Sequence, residues 1–232
     1  MIDDYASDTW FLFHTSTLES VSQAGKWTSL VLKGGMNFVE LQEFSTQHIK
    51  AVEFVIAATE DYAACRCCLL NGLFSGLYLG AEAVEKYLKA FLLFVDPTID
   101  VRKEYNHGIT KLAAKACSLK PGFDLSQFTK VIDRLEMHYN NRYPDHPKFK
   151  RDASTDELIA IDELVLLIVD SIPISEVPKF RNFGYFFIVC CPWEPRMNPL
   201  KDWLERQNLA LQRVRDSLEE RYRAMETDLG CR

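Results

Sequence analysis

Hydrophobic residues recur at helical spacing through the middle of the chain. Residues 45–71 carry Ile49, Val52, Ile56 and Ala63 on one face, with Ser45 as N-cap. A stronger helix is predicted from about 73 to 95, with Leu73, Leu77, Ala81, Val84, Leu88, Leu92 and Val95 as its apolar stripe. Gly72, Gly76 and Gly80 fall four apart on one face of it. Glycine costs helix propensity, so this spacing predicts close approach of a neighbouring backbone. Asp96-Pro97 ends the helix, since the residue before proline is pushed out of the α region. A loop with Arg102, Lys103 and Glu104 leads to Asn106, the expected N-cap of a helix through about Ser118. After the turn at Lys120-Pro121-Gly122, a helix is expected over 125–141, with Leu125, Phe128, Ile132, Leu135 and Tyr139 inward. Residues 142–147 break it. Ser154 or Thr155 then caps a helix over 156–171, whose Asp156 and Glu157 suit an N-terminal turn.

The two ends of the chain carry a different pattern. Residues 28–33 and 36–41 are β-prone runs on either side of Gly34-Gly35, which predicts a hairpin because both loop residues need positive φ. Tyr185 to Cys191 is the most strand-like run in the chain, and it is expected to join the hairpin in a small sheet. The tail, about 198–226, is amphipathic. Leu204, Leu211, Leu218 and Met225 repeat every seven residues, with Leu200 and Val214 near the second heptad position. Two outcomes are open for it: a short coiled coil between subunits, or packing onto its own bundle. The predicted organisation is an N-terminal extension (1–44) with the hairpin, a helical bundle (45–172), and a C-terminal extension (173–232) with a strand at about 183–191 and the amphipathic helix.

Composition sets limits on this picture. Hydrophobic residues make up 47% and charged residues 26%, which suits a globular chain with a sizeable core. The net charge of -6 excludes a general polyanion binder, whose affinity would come from basic surface. A local basic stretch at 138–151, with Arg142, Lys148, Lys150 and Arg151 against Asp145, is the one candidate, and a solvated loop is the simpler account of it. Seven cysteines, an odd count with adjacent pairs, make a poor disulfide framework and point to reduced thiols in a cytoplasmic protein. Cys65 and Cys68 have C-x2-C spacing but no second pair in register, so buried structural cysteine is expected and no metal or cofactor is assigned. The apolar stretches near 91–95 and 164–169 are too short to span a bilayer, so no membrane partner is expected.

Three local patterns carry a family resemblance. Gly80 to Ala90 reads GAEAVEKYLKA, His107 to Leu112 reads HGITKL, and Asn141 to Asp145 reads NRYPD. In that order they resemble the AxExxLKA helix, the HDLxxL helix start and the RYPD turn of the HEPN family, with Gly108 standing where the family has Asp. The resemblance covers about 45–172. It implies a mainly α, up-and-down bundle, to which the flanks add the small β layer and the C-terminal helix. It also implies a homodimer, and frequent partnership with a nucleotidyltransferase. Some HEPN proteins are metal-independent endoribonucleases acting as toxins or defence effectors. Others bind nucleotides or only mediate association.

The candidate chemistry follows from these residues. The family's nuclease signature is an Arg and a His four to six residues apart, and Arg102 and His107 meet that spacing. His moves a proton at neutral pH, and Arg stabilises charge on a phosphate. The plainer alternative is that His107 orients the helix start and Arg102 is solvated. Arg142, Tyr143 and Asp145 form a second candidate: Arg for a bidentate phosphate contact, Tyr for stacking on a base. An Arg142–Asp145 brace around Pro144 is the structural alternative. Glu85 and Lys89 are four apart, and together with His107 and Arg142 they are expected to border a polar cleft, although a plain surface ion pair explains them more simply. No P-loop, dinucleotide fingerprint, nucleophile elbow or zinc-protease motif is present. The expected function is a nucleotide- or RNA-binding module, non-catalytic alone. An endoribonuclease and a dimerising scaffold are the alternatives.

Overall fold

A computed structural model of the chain describes residues 46–143, 154–172 and 198–215. Every regular element among them is helical. The expected hairpin (1–44), the strand at 183–191 and Asp145 lie outside the described residues, as does the tail beyond 215.

Helix α1 (Thr46–Leu70) and helix α2 (Gly76–Val95) form the longest antiparallel pair. Then come a short α3 (Val101–Tyr105), α4 (Ile109–Leu119), a 3-10 turn (Ser126–Phe128) continuing into α5 (Thr129–Asn140), and α6 (Thr155–Ser171). The C-terminal part is α7 (Asn198–Glu205) followed by helical backbone over 209–215, here α8. Helix α2 is the centre of the bundle and touches α1, α4, α5 and α6. Its sequence explains why: Leu77, Ala81, Val84, Leu88 and Leu92 are buried, and so are Tyr87, Phe91 and Leu93 on other faces. A helix that is apolar nearly all round has to be covered on every side. Burying each large side chain contributes about 1.5–3 kcal/mol, which makes α2 the main source of cohesion.

The glycine prediction holds in part. Gly72 is not in the helix. At φ 73° it closes a Schellman turn at the end of α1, in which Leu73 N donates to Cys68 O (2.8 Å) and Gly72 N to Leu69 O (3.0 Å). The turn swings Leu73 outward, and it is 54% exposed rather than part of the buried stripe. Gly76 and Gly80 do mark a close approach. A Cβ on Gly76 would lie 2.8 Å from the Cys65 carbonyl oxygen, and one on Gly80 would lie 3.0 Å from the Cys65 sulfur.

Three helix boundaries differ from expectation. The stretch holding Arg102 is helical, because the Asp100 carboxylate accepts from the Arg102 and Lys103 amides and caps it. Asn106 ends that short helix at φ 46°, so it does not cap the next one. Helix α4 starts after Gly108, and Glu136 from α5 accepts from the Thr110 amide (3.3 Å). A carboxylate from a neighbouring helix thus meets an N-terminal amide that Gly108 has no side chain to satisfy. Ser154 caps α6 with a full capping box shared with Glu157.

The tail is not one continuous heptad helix. It breaks at 206–208, with Gln207 at φ 54°, and packs against α1. Leu204 and Leu211, two of the heptad leucines, are buried within the chain. Arg66 of α1 organises this contact. Its guanidinium is fully buried, paired with Asp162 of α6, and donates through Nε to the Trp203 carbonyl (2.8 Å) and through Nη2 to the Arg206 carbonyl (2.5 Å). A cation therefore meets the otherwise unpaired carbonyls at the end of α7. Tyr62 donates to the other Asp162 oxygen (2.6 Å), and Asn208 donates to the Tyr62 hydroxyl (3.1 Å). No helix among the described residues is long and apolar enough to cross a membrane.

Candidate functional site

The sequence-predicted residues Glu85, Lys89, His107, Arg142 and Tyr143 come together where α2, the start of α4 and the end of α5 meet. Glu85 and Lys89 share one face of α2, four apart. They are not a surface pair: Glu85 is 3% exposed and Lys89 5%. Lys89 Nζ donates to Glu85 Oε1 at 2.5 Å. The second Glu85 oxygen faces His107 Nδ1 at 3.0 Å. An imidazole nitrogen against a carboxylate is a donor, so Nδ1 carries a proton, and in the neutral ring Nε2 is then the acceptor. The His107 side chain is 49% exposed, so this buried carboxylate anchors a ring that reaches solvent.

Tyr139, in the last turn of α5, links this group to Arg142. Its ring lies 5.3 Å from the His107 ring, and the Arg142 guanidinium lies 4.3 Å from the Tyr139 ring centroid. The same guanidinium lies 4.9 Å from the ring of Tyr143, which is 60% exposed. Stacking of this kind suits a planar guanidinium and leaves its edge free for hydrogen bonds. Arg142 Nη1 donates to the Tyr139 carbonyl (2.7 Å), ending α5.

A second ion cluster continues along α2. Lys86 Nζ donates to Asp61 Oδ2 of α1 (2.5 Å) and to Glu82 Oε2 (2.7 Å). Glu82 also bonds the Tyr139 side chain, so the two clusters are joined. Burial pushes the Glu82 carboxyl up, but the bonds from Lys86 and Tyr139 outweigh it and hold the group below its ordinary value. Asp61 goes the other way, because burial and the nearby Glu82 and Glu85 carboxylates outweigh the Lys86 bond. Burial, and then the Glu82 charge, raises the Tyr139 hydroxyl, which stays protonated.

Arg102 is exposed on α3, and no hydrogen bond or ion pair of its side chain lies among the described residues. Its spacing to His107 in sequence is not matched by a contact; Arg142 is the arginine joined to His107, through Tyr139. Asp145 lies outside the described residues. Sequence reasoning missed Tyr139, Glu82, Lys86 and Asp61 as members of the site. Glu82 and Lys86 repeat the four-residue spacing of Glu85 and Lys89 one turn earlier, a signal present in the sequence. Tyr139 was assigned to the core, where its ring does sit; its hydroxyl does the joining.

Among the described residues no group of three or more His, Cys, Asp or Glu side chains is placed to hold a metal ion. Cys65 is buried beside Gly80, and burial raises its thiol well above the ordinary range. A groove of about 400 Å³, walled by Phe128, Leu166, Leu167, Ala210 and Val214, lies elsewhere and shares no residue with the cluster. No family model matches the chain, and no curated protein or solved structure matches it either.

Proposed function

We propose that this chain is a HEPN-type nucleotide- or RNA-binding module, non-catalytic by itself and acting with a protein partner such as a nucleotidyltransferase. The observation that carries the binding reading is the Arg142 stack: a guanidinium between Tyr139 and Tyr143, without a carboxylate partner among the described residues, beside an anchored and solvent-reaching His107. Such a group offers a phosphate a fork of donors, and exposed Tyr143 offers a base an aromatic face. The helical bundle and the order of the three motifs along it support the family part of the proposal. Binding is tested by titrating labelled single-stranded RNA and labelled nucleotides in EDTA against the protein and its Arg142→Ala variant. Saturable binding weakened at least tenfold by the substitution is expected. A folded protein that retains neither probe refutes the proposal.

One observation favours a second function, a metal-independent endoribonuclease. The Glu85–His107 bond places a proton on Nδ1, so that in the neutral ring Nε2 is a base within reach of solvent. RNA cleavage in EDTA that disappears in His107→Ala would establish it, and cleavage indifferent to that substitution would exclude this site. Because Arg102 is not joined to His107, Arg142 takes the phosphate-stabilising role in such a reaction.

A further inference from the structure

Tyr139 touches both His107 and Arg142. Its ring lies 5.3 Å from the His107 ring and 4.3 Å from the Arg142 guanidinium. Its carbonyl accepts from Arg142 Nη1 at 2.7 Å, so one residue holds that arginine by ring and by backbone. Stacking alone does not fix such a ring, because the outer torsion of a tyrosine is broad and soft. A bond at the far end of the phenol does fix it. Here the Tyr139 hydroxyl donates to Glu82 of α2. Glu82 in turn accepts from Lys86 Nζ at 2.7 Å, and Lys86 reaches on to Asp61 Oδ2 of α1 at 2.5 Å. Hydrogen bonds with an ionised partner are about twice as strong as neutral ones. The three charged side chains are 23–31% exposed, so water screens them only in part. A chain of four groups therefore runs from α1, through α2, to a ring in α5 on which two site residues lean.

We infer that Tyr139 is a positioning residue: held at its hydroxyl by Glu82, which Lys86 ties to Asp61, it fixes where Arg142 and His107 stand. The inference rests on the binding function proposed above for what the two residues do, and deepens it by naming what orients them. It differs from a merely structural role in a measurable way. A structural role moves stability alone. A positioning role moves the surroundings of His107 in a protein that is still folded. It also makes Tyr139 and Glu82 non-additive, because each substitution breaks the same bond and the second has nothing further to break.

The experiment uses the full chain and two readouts. The first is the NMR shifts of the His107 ring protons, assigned by their loss in His107→Ala. The second is affinity for labelled single-stranded RNA and labelled nucleotides in EDTA. Tyr139→Phe keeps the ring and drops only the hydroxyl. Glu82→Ala drops the acceptor, and Glu82→Met takes its place should that variant fail to fold. Both singles and the double are compared with the unaltered chain, with circular dichroism as the check on folding. Expected is the same displacement of the His107 shifts in all three, and an affinity loss of about fivefold, the worth of one hydrogen bond, in all three. Asp61→Asn, one link further back, should displace the shifts in the same direction by less. Arg66→Met, which perturbs the bundle outside this cluster, should leave them in place. His107 shifts unmoved in Tyr139→Phe overturn the inference, and so does a double variant displaced by the sum of its singles. Displacement of equal size in Arg66→Met reduces the effect to general loosening and overturns it too. If the unaltered chain binds a probe and Tyr139→Phe binds it equally well, the positioning of Arg142 is refuted while the binding function stands. If the unaltered chain binds neither probe, that function falls, and the cycle of His107 shifts still decides whether Tyr139 and Glu82 place the ring.

Discussion

The burial of Glu85 and Lys89 leads to a prediction with a large and asymmetric signal. An exposed pair at this spacing contributes about 0.3–0.5 kcal/mol. A buried pair behaves differently, because removing one partner strands a charge in a medium that cannot solvate it, at a cost of about 3–5 kcal/mol. At 3% and 5% exposure these side chains belong to the second class. Glu85→Leu strands the Lys89 ammonium, which lies 6.0 Å from the Phe54 ring and has no second carboxylate partner among the described residues. It also frees His107, which at 49% exposure turns to solvent at little cost. The full penalty, about 3–5 kcal/mol, is therefore expected for Glu85→Leu. Lys89→Met is milder, because Glu85 keeps His107 as a partner at 3.0 Å. The double variant leaves an apolar pair, and most of the loss should return. The assay is urea unfolding followed by circular dichroism, with the two singles and the double treated as a cycle. Against a total stability of about 5–15 kcal/mol the effect is easily measured. A Glu85→Leu cost below about 1 kcal/mol would refute the burial argument. So would a double variant that loses the sum of the two singles.

Other consequences are independent of that pair. Gly76→Ala should cost about 1–3 kcal/mol, because the new methyl meets the Cys65 carbonyl, which is backbone and cannot swing away; Gly80→Ala, facing the Cys65 and Leu135 side chains, should cost less, and the reverse order in thermal melts would contradict the packing. Arg66→Met should release α7 and α8 while leaving α2 intact, so amide exchange at Leu204 and Leu211 should quicken well before exchange at Leu88; equal acceleration in both would mean that Arg66 holds the whole bundle instead. Glu82, whose folded pKa is depressed, contributes stability that is present above its ordinary value of 4.5 and is lost as pH falls through the folded value. Asp61, whose folded pKa is raised, contributes stability below 3.8 that is lost as pH rises through its folded value. Near neutral pH, then, Glu82→Gln should destabilise, whereas Asp61→Asn should be neutral or stabilising, and both differences should shrink in acid; destabilisation of equal size by the two at neutral pH would contradict the opposed shifts.

How far the sequence anticipates the molecule depends on which interaction decides each feature. Periodicity located the helices because burial of an apolar stripe is written at i, i+3 and i+4, and Leu77, Val84, Leu88, Leu112, Leu135 and Ile161 are all buried as that pattern requires. Ser154 was readable as a cap for the same local reason: the donor and acceptor of its capping box sit three residues apart. The errors fall where a turn or a distant partner overrides the periodicity. Gly72 continues a four-residue spacing and would extend α2, but the turn that closes α1 needs a positive φ there, and a turn two residues after a helix end overrides the pattern beyond it. The tail repeats leucine every seven residues, yet Arg66, Asp162 and Asn208 hold it against its own bundle, and no local pattern links residues 66, 162 and 208.

The candidate site shows the same division at higher resolution. Glu85, Lys89, His107 and Arg142 were singled out by motif and by charge, and they do meet. What spacing alone misjudged was their depth. A Glu–Lys pair four apart is written identically on a surface and in a core, and only the helices packed against α2 decide between the two. Depth is also what gives the pair chemical meaning. On a surface, Glu85 would be one solvated carboxylate among many. Buried, and with one oxygen committed to Lys89, it has its second oxygen for His107, and that bond sets which imidazole nitrogen carries the proton. The tautomer of the neutral ring and its anchoring at the edge of the solvent both follow from a carboxylate that is buried. Arg102 illustrates the converse: it has the right residue type at the right sequence distance, but α3 carries it exposed, with no hydrogen bond or ion pair of its side chain among the described residues, while Arg142, thirty-five residues beyond His107, is held by two aromatic rings and a helix carbonyl.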